Sequence, residues 1–202
     1  EGFLNGTVLD FEEALPGEEL EYLKTTPGAY LGSCRYKLPE DLEDAVYPKL
    51  FQKFEELEIG YFFYIGGNDS MDTVSKLSRY AKKVGSDIRV IGEPKTIDND
   101  VACTEITFGY NTAVSVAAEA IDRLHSTGET HHRIMVLEVM GRYAGWIALE
   151  SAIAGGADVA LIPEIPYDLE KAAKKIINRK NRGKSFSIVV VAEGAKPKGG
   201  DI

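Results

Sequence analysis

From residue 41 onward the apolar positions fall into two alternating rhythms. In "LEDAVYPKLFQKFEELE" the residues Leu42, Ala45, Val46, Leu50, Phe54 and Leu57 recur at three- and four-residue steps, which predicts a helix over 42–58 with one buried face. "YFFYI" (61–65) is a short, nearly continuous apolar run of the kind a buried parallel strand shows. The pattern then repeats. Helical spacing covers 70–84, strand-like runs cover 87–92 and 133–139, and an alanine-rich helix is predicted over 111–125 between them. A helix over 143–155 is closed by Gly155-Gly156. A strand over 157–163, a helix over 168–180 and a strand over 185–194 complete the series.

Strand and helix in alternation predict an α/β protein whose mainly parallel sheets are covered by helices on both faces. In such sheets ligands sit beyond the carboxyl ends of the strands. Four strand-end loops therefore become the candidates: "GGNDS" (66–70), "GEPKTIDND" (92–100), "EVMGR" (138–142) and "AEG" (192–194).

Composition narrows the classes. The 202 residues are 44% hydrophobic, enough for a sizeable core, and carry a net charge of −9, which argues against nucleic acid and anionic membranes as partners. No apolar run approaches the ~20 residues of a membrane span. Cys34 and Cys103 lack zinc spacing and are too few for a disulfide framework, so a cytoplasmic location is expected. His125, His131 and His132 are expected in a solvated loop between helix and strand. The chain begins "EGFLNG" and ends "KPKGGDI", and it reads as a piece of a longer protein.

Each loop carries usable chemistry. Gly66 and Gly67 let backbone N–H groups approach a phosphate at a helix start, where Ser70 is also a candidate cap. Lys95, Thr96, Asp98 and Asp100 combine a cation, a hydroxyl and two carboxylates, which suits proton abstraction, magnesium and phosphate. Asx-type turn bonds within Asp-Asn-Asp are the plainer alternative there. Arg142 offers a fork for phosphate or pairs with Glu138, and Glu193 accepts from sugar hydroxyls or caps a turn.

Taken in order, "GGNDS", "PKTIDND", "RIMVLEVMGRYAGWIALESAIAGGADVALIPE" and "VVVAEG" resemble the phosphofructokinase family over essentially the whole chain. The resemblance implies two similar domains, a donor-binding part (1–109) lacking its first strand and glycine-rich loop, and a sugar-phosphate part (110–202) incomplete at its C-terminal end. It implies that Asp98 is the base for the 1-hydroxyl of fructose 6-phosphate, flanked by Thr96 and Asp100. Met140, Gly141 and Arg142 match the sugar-phosphate motif, with Arg142 neutralising transition-state charge, and Glu193 matches the carboxylate that holds fructose hydroxyls. Arg133 matches an arginine serving a neighbouring subunit's site, which implies a homo-oligomer with shared sites. Arg35, in "TPGAYLGSCR", is similar to a nucleotide-side arginine, and Gly67, Asn68, Asp69, Ser70 and Lys95 fall on the donor side.

ATP-dependent members of that family read GGDGS, and a glycine stands at the position of Lys95. Asp69 and Lys95 instead resemble the pyrophosphate-dependent branch, so pyrophosphate is the expected donor and ATP the alternative. Lys95 is expected to hold Asp98 ionised at neutral pH. Magnesium is the implied cofactor, with Asp100 as a ligand and Asn68 as a weaker, neutral one. Two further readings compete: a dinucleotide kinase with a related GG-D loop, disfavoured by "PKTIDND" with "EVMGR", and a non-catalytic sugar-phosphate sensor, disfavoured by the presence of Asp98.

Overall fold

The computed structural model describes residues 2–15 and 17–200. Two short helices, α1 (Phe11–Ala14) and α2 (Gly17–Tyr22), precede a stretch of turns and extended chain. There follow α3 (Val46–Glu56), β1 (Tyr61–Gly66), α4 (Asn68–Val84), β2 (Arg89–Thr96), β3 (Phe108–Gly109) and α5 (Tyr110–His131). The series ends with β4 (Ile134–Val139), α6 (Trp146–Ala154), β5 (Val159–Leu161), α7 (Leu169–Asn181) and β6 (Ser187–Ala192). Every helix and strand predicted from the pattern is present. The two-residue β3 and the two short N-terminal helices are additions that no periodicity announces.

The strands form two three-stranded sheets, ordered β1-β2-β3 and β4-β6-β5. β2 pairs in parallel with β3, Lys95 opposite Phe108. β6 pairs in parallel with both neighbours, Ser187 opposite Ile134 and Val189 opposite Val159. The chain separates into two compact units, Glu1–Tyr64 with Asp69–Glu93, and Ile65–Asn68 with Pro94–Ile202.

In the first unit the amphipathic faces of α3 and α4 meet. Tyr47, Leu50, Phe51 and Phe54 pack on Leu77, Tyr80 and Ala81, with Leu38 and Ile88 closing the cluster. α3 starts at Val46, later than its periodicity suggests, because the Asp44 carboxylate accepts from the Val46 N–H at 2.9 Å and turns the chain first. Leu42 still packs against this core from outside the helix.

In the second unit β6 is the central strand. Ile188, Val190 and Ala192 are buried against Ile121 of α5 and Ala148 and Ala152 of α6. Small residues bring the two helices together: a Cβ on Gly155 would lie 2.6 Å from Ile121 Cγ2. The expected cover on both faces is present, with a third helix on the opposite face. α7 lies along it but leaves Ile134 and Val136 exposed, and a groove of about 490 Å³ opens between α7 and the sheet.

α5 also runs further than predicted, through "STGETH" to His131. His125 is therefore not in a loop. Its Nε2 lies 2.8 Å from the Gly155 carbonyl oxygen and its ring packs edge-on to Phe186, while His131 and His132 are exposed.

Candidate active site

The loop after β2 is fastened by its own side chains. Asn99 takes a left-handed conformation, φ 54°, which asparagine tolerates better than most residues. Its Oδ1 accepts from the Thr107 N–H at 2.9 Å and lies 3.3 Å from the Thr107 hydroxyl, while its Nδ2 donates to the Glu105 carbonyl at 3.2 Å. Thr107 is only 2% exposed and donates its hydroxyl to the Thr96 carbonyl at 2.8 Å. The two aspartates on either side of Asn99 thus sit in a loop tied back to the end of β2. Asn99 bonds not to its neighbours, as an Asx turn would, but to Glu105 and Thr107, six and eight residues on. Thr107 left no sequence signal, since its partners lie eight and eleven residues away.

The loops after β4 and β6 lock together. Gly141 has φ 143° and Arg142 φ 54°. The Arg142 N–H donates to Glu193 Oε1 at 2.9 Å, and the Glu193 N–H donates to the Val139 carbonyl at 2.9 Å. A Cβ on Gly194 would overlap the Arg142 carbonyl oxygen, so only glycine permits this approach. Glu193 accordingly caps the turn with one oxygen, and Arg142 makes no pair with Glu138. Its guanidinium lies over the Tyr143 ring, 5.4 Å from the centroid.

These two loop systems bring Asp98, Asp100, Glu193 and Arg142 into one electrostatic neighbourhood. Asp98 is half-buried, and burial pushes its carboxyl up from the ordinary range. Asp100 and then Glu193 add to the rise, while a hydrogen bond from Thr96 and the charge of Arg142 oppose it. Arg142 is thus the cation that acts on Asp98, and the net direction is upward. Asp100 Oδ1 is buried and has no hydrogen-bond partner. Met140 and Arg133 are exposed at the two ends of β4.

The β1–α4 turn differs in one detail from its sequence reading. α4 begins at Asn68, so Ser70 lies in the first turn and is not the cap. A Cβ on Gly67 would make only an ordinary 3.7 Å contact with Thr96, so packing alone does not demand the glycine. Asp69, also in the first turn, pairs with Lys37, Oδ1 to Nζ 3.0 Å. Lys37 was not singled out in the sequence. Lys95 and Arg35 are exposed, and neither forms an ion pair among the described residues.

The phosphofructokinase family model matches residues 1–202. The chain belongs to the phosphofructokinase family. It is 58% identical over 138 residues to ATP-dependent 6-phosphofructokinase 2 of Clostridium perfringens, covering 68% of this chain and 36% of that protein. It is 49% identical over 179 residues to ATP-dependent 6-phosphofructokinase of Chloroflexus aurantiacus, covering 88% of this chain and 48% of the relative. The crystal structure of a pyrophosphate-dependent phosphofructokinase from Marinobacter aquaeolei superposes with a TM-score of 0.81 at 35% identity, over 94% of this chain and 48% of that one. A pyrophosphate-dependent phosphofructokinase from Nitrosospira multiformis gives 0.82 at 33% identity over the same shares. The chain thus spans about half the length of most of these phosphofructokinases, and a smaller share of the Clostridium protein.

Proposed function

We propose that the whole protein transfers a phosphoryl group to the 1-hydroxyl of fructose 6-phosphate, giving fructose 1,6-bisphosphate, with pyrophosphate as donor. The observation that carries the reaction is the grouping of Asp98 with Asp100, Glu193 and Arg142 on two internally fastened loop systems. A base works best when its pKa lies closer to the working pH than a free carboxyl's does, and burial moves Asp98 in that direction. Asp98 takes the hydroxyl proton. Arg142 offsets negative charge on the transferring group. Glu193 has Oε2 left for sugar hydroxyls, since Oε1 holds the Arg142 N–H. Thr96, Met140 and Gly141 complete the sugar side, and Lys95 serves the leaving phosphate. Residues 1–109 would supply the donor side and 110–202 the sugar-phosphate side.

The donor set suits magnesium. Asp100 Oδ1 is an orphaned, buried carboxylate oxygen, and magnesium is commonly held by one or two carboxylates plus substrate phosphates rather than by a protein cage. Asp100, with Asn68 as a weaker ligand, would hold the ion, which when bound would withdraw charge from the phosphoryl oxygens. The family also motivates a glycolytic role in the cytoplasm and a homo-oligomer in which Arg133 reaches a neighbouring subunit's site.

Asp69 and Lys95 support pyrophosphate, because a side chain at 69 fills space that a glycine would leave for a nucleotide. A second reading, ATP as donor, is favoured by the names of the relatives at 58% and 49% identity. Two measurements on the whole protein test these readings. Asp98→Asn should cut kcat by ~10²–10⁴ with the sugar-phosphate KM little changed, and near-normal turnover would remove the base assignment. In a donor comparison the wild type should prefer pyrophosphate, and Asp69→Gly should gain relative use of ATP. A higher wild-type kcat/KM with ATP would overturn the donor and leave the acceptor chemistry standing.

A further inference from the structure

The segment that carries Lys37 is anchored residue by residue. Leu38 is buried, and its carbonyl accepts from Lys76 Nζ at 3.0 Å. The Pro39 carbonyl accepts from the Tyr47 hydroxyl at 2.5 Å. Glu40 pairs with the same Lys76 Nζ at 2.5 Å. Lys76 itself lies on α4 with its side chain 3% exposed, and Asp72 completes its shell at 2.6 Å. A buried ammonium is stabilised only when partners replace its water, and here three do so. Asp69 stands two turns earlier on the same helix, its carbonyl taking the Thr73 hydroxyl at 3.0 Å. Both halves of the Lys37–Asp69 pair therefore rest on α4, one directly and one through the 38–40 anchor.

That anchoring distinguishes the pair from a casual surface contact. Both side chains are nearly three-quarters exposed, so by itself the pair contributes little to stability. Their exposure leaves them open to an incoming solute. We propose that Lys37 is a donor-specificity residue that acts through Asp69, cancelling its charge so that an anionic phosphoryl donor is admitted while the Asp69 side chain still occupies the space of a glycine. The proposal rests on reading position 69 as donor-facing. It assigns the electrostatic and steric parts of donor choice to different residues. Asp69 excludes by bulk, and Lys37 prevents that carboxylate from repelling the phosphate that remains. The buried Lys76, otherwise a costly ornament of an aromatic core, becomes the post to which the Lys37 segment is tied.

The experiment is a double-mutant cycle in the whole protein with Lys37→Met, Asp69→Asn and the double variant, measuring KM for magnesium pyrophosphate, KM for fructose 6-phosphate and kcat. Lys37→Met should raise the pyrophosphate KM about tenfold, the cost of facing an uncompensated carboxylate. The fructose 6-phosphate KM should stay within about twofold. In the Asp69→Asn background the same replacement should raise the donor KM less than about threefold, because no charge remains to cancel. Lys37→Arg should keep the wild-type donor KM. Equal effects in both backgrounds, no effect in either, or a matching rise in both substrates' KM would each overturn the proposal. Wild type is assayed with magnesium ATP in parallel. If ATP proves the better donor, the pyrophosphate reading fails separately, and the same cycle run with ATP decides whether Lys37 still acts through Asp69.

Discussion

Asp98 is held in a position that suits a base and burdens the fold. Its carboxyl is raised above the unfolded value of roughly 3.9, so the folded state binds that proton more tightly than the unfolded state does. Its contribution to stability is full below the unfolded pKa and is lost as pH rises through the raised folded one. At pH 7 the ionised carboxylate works against folding. Asp98→Asn should therefore melt higher than wild type at pH 7, on the order of 1–3 °C, with the gap closing as pH falls toward 4; thermal denaturation at stepped pH measures it. Asp98, Asp100, Arg142 and Glu193 were legible because each stands beside glycine or a second acid at the end of a predicted strand. Asn99's clamp was not legible, because its partners lie six and eight residues on. Thr107 and Lys37 were not, since each bonds across eight or more residues and belongs to no local pattern.

Helices and strands were placed well by their periods and poorly at their ends. α5 was expected to end at His125 and runs on to His131 through a glycine, a poor helix former. Tertiary packing wins over that propensity: Gly128 is buried, and a Cβ there would lie 3.0 Å from Phe186 Cδ2. The reverse error occurs at α3, where Asp44 delays the start. The α5–α6 contact gives the sharpest prediction among the elements. Gly155→Ala would press a methyl against the fully buried Ile121, and overpacking of this kind costs about 1–3 kcal/mol. Chemical denaturation should show that loss, and Ile121→Val in the same background should recover part of it. An unchanged midpoint would mean that α6 can slide outward without penalty.

Across the whole chain, alternation predicted mainly parallel sheets with helices on both faces, and both are present. Ile134, Val136, Leu169 and Ile177 remain exposed beside the β4-β6-β5 sheet, an apolar patch of the kind that adheres to other surfaces. The 202-residue chain produced alone should form no measurable fructose 1,6-bisphosphate and should self-associate in light scattering, and Val136→Lys should reduce that association. The strand order is what periodicity could never supply, because pairing partners in a parallel sheet are set by crossovers and not by neighbours in sequence. It has a temporal consequence. β4 and β5 touch β6 on either side, and β6 begins 53 residues after β4, Ser187 against Ile134. At roughly 5–20 residues per second of synthesis, β4 waits about 3–10 seconds for β6. During translation the nascent chain therefore carries two strands with a vacant slot between them until β6, made after both, fills it.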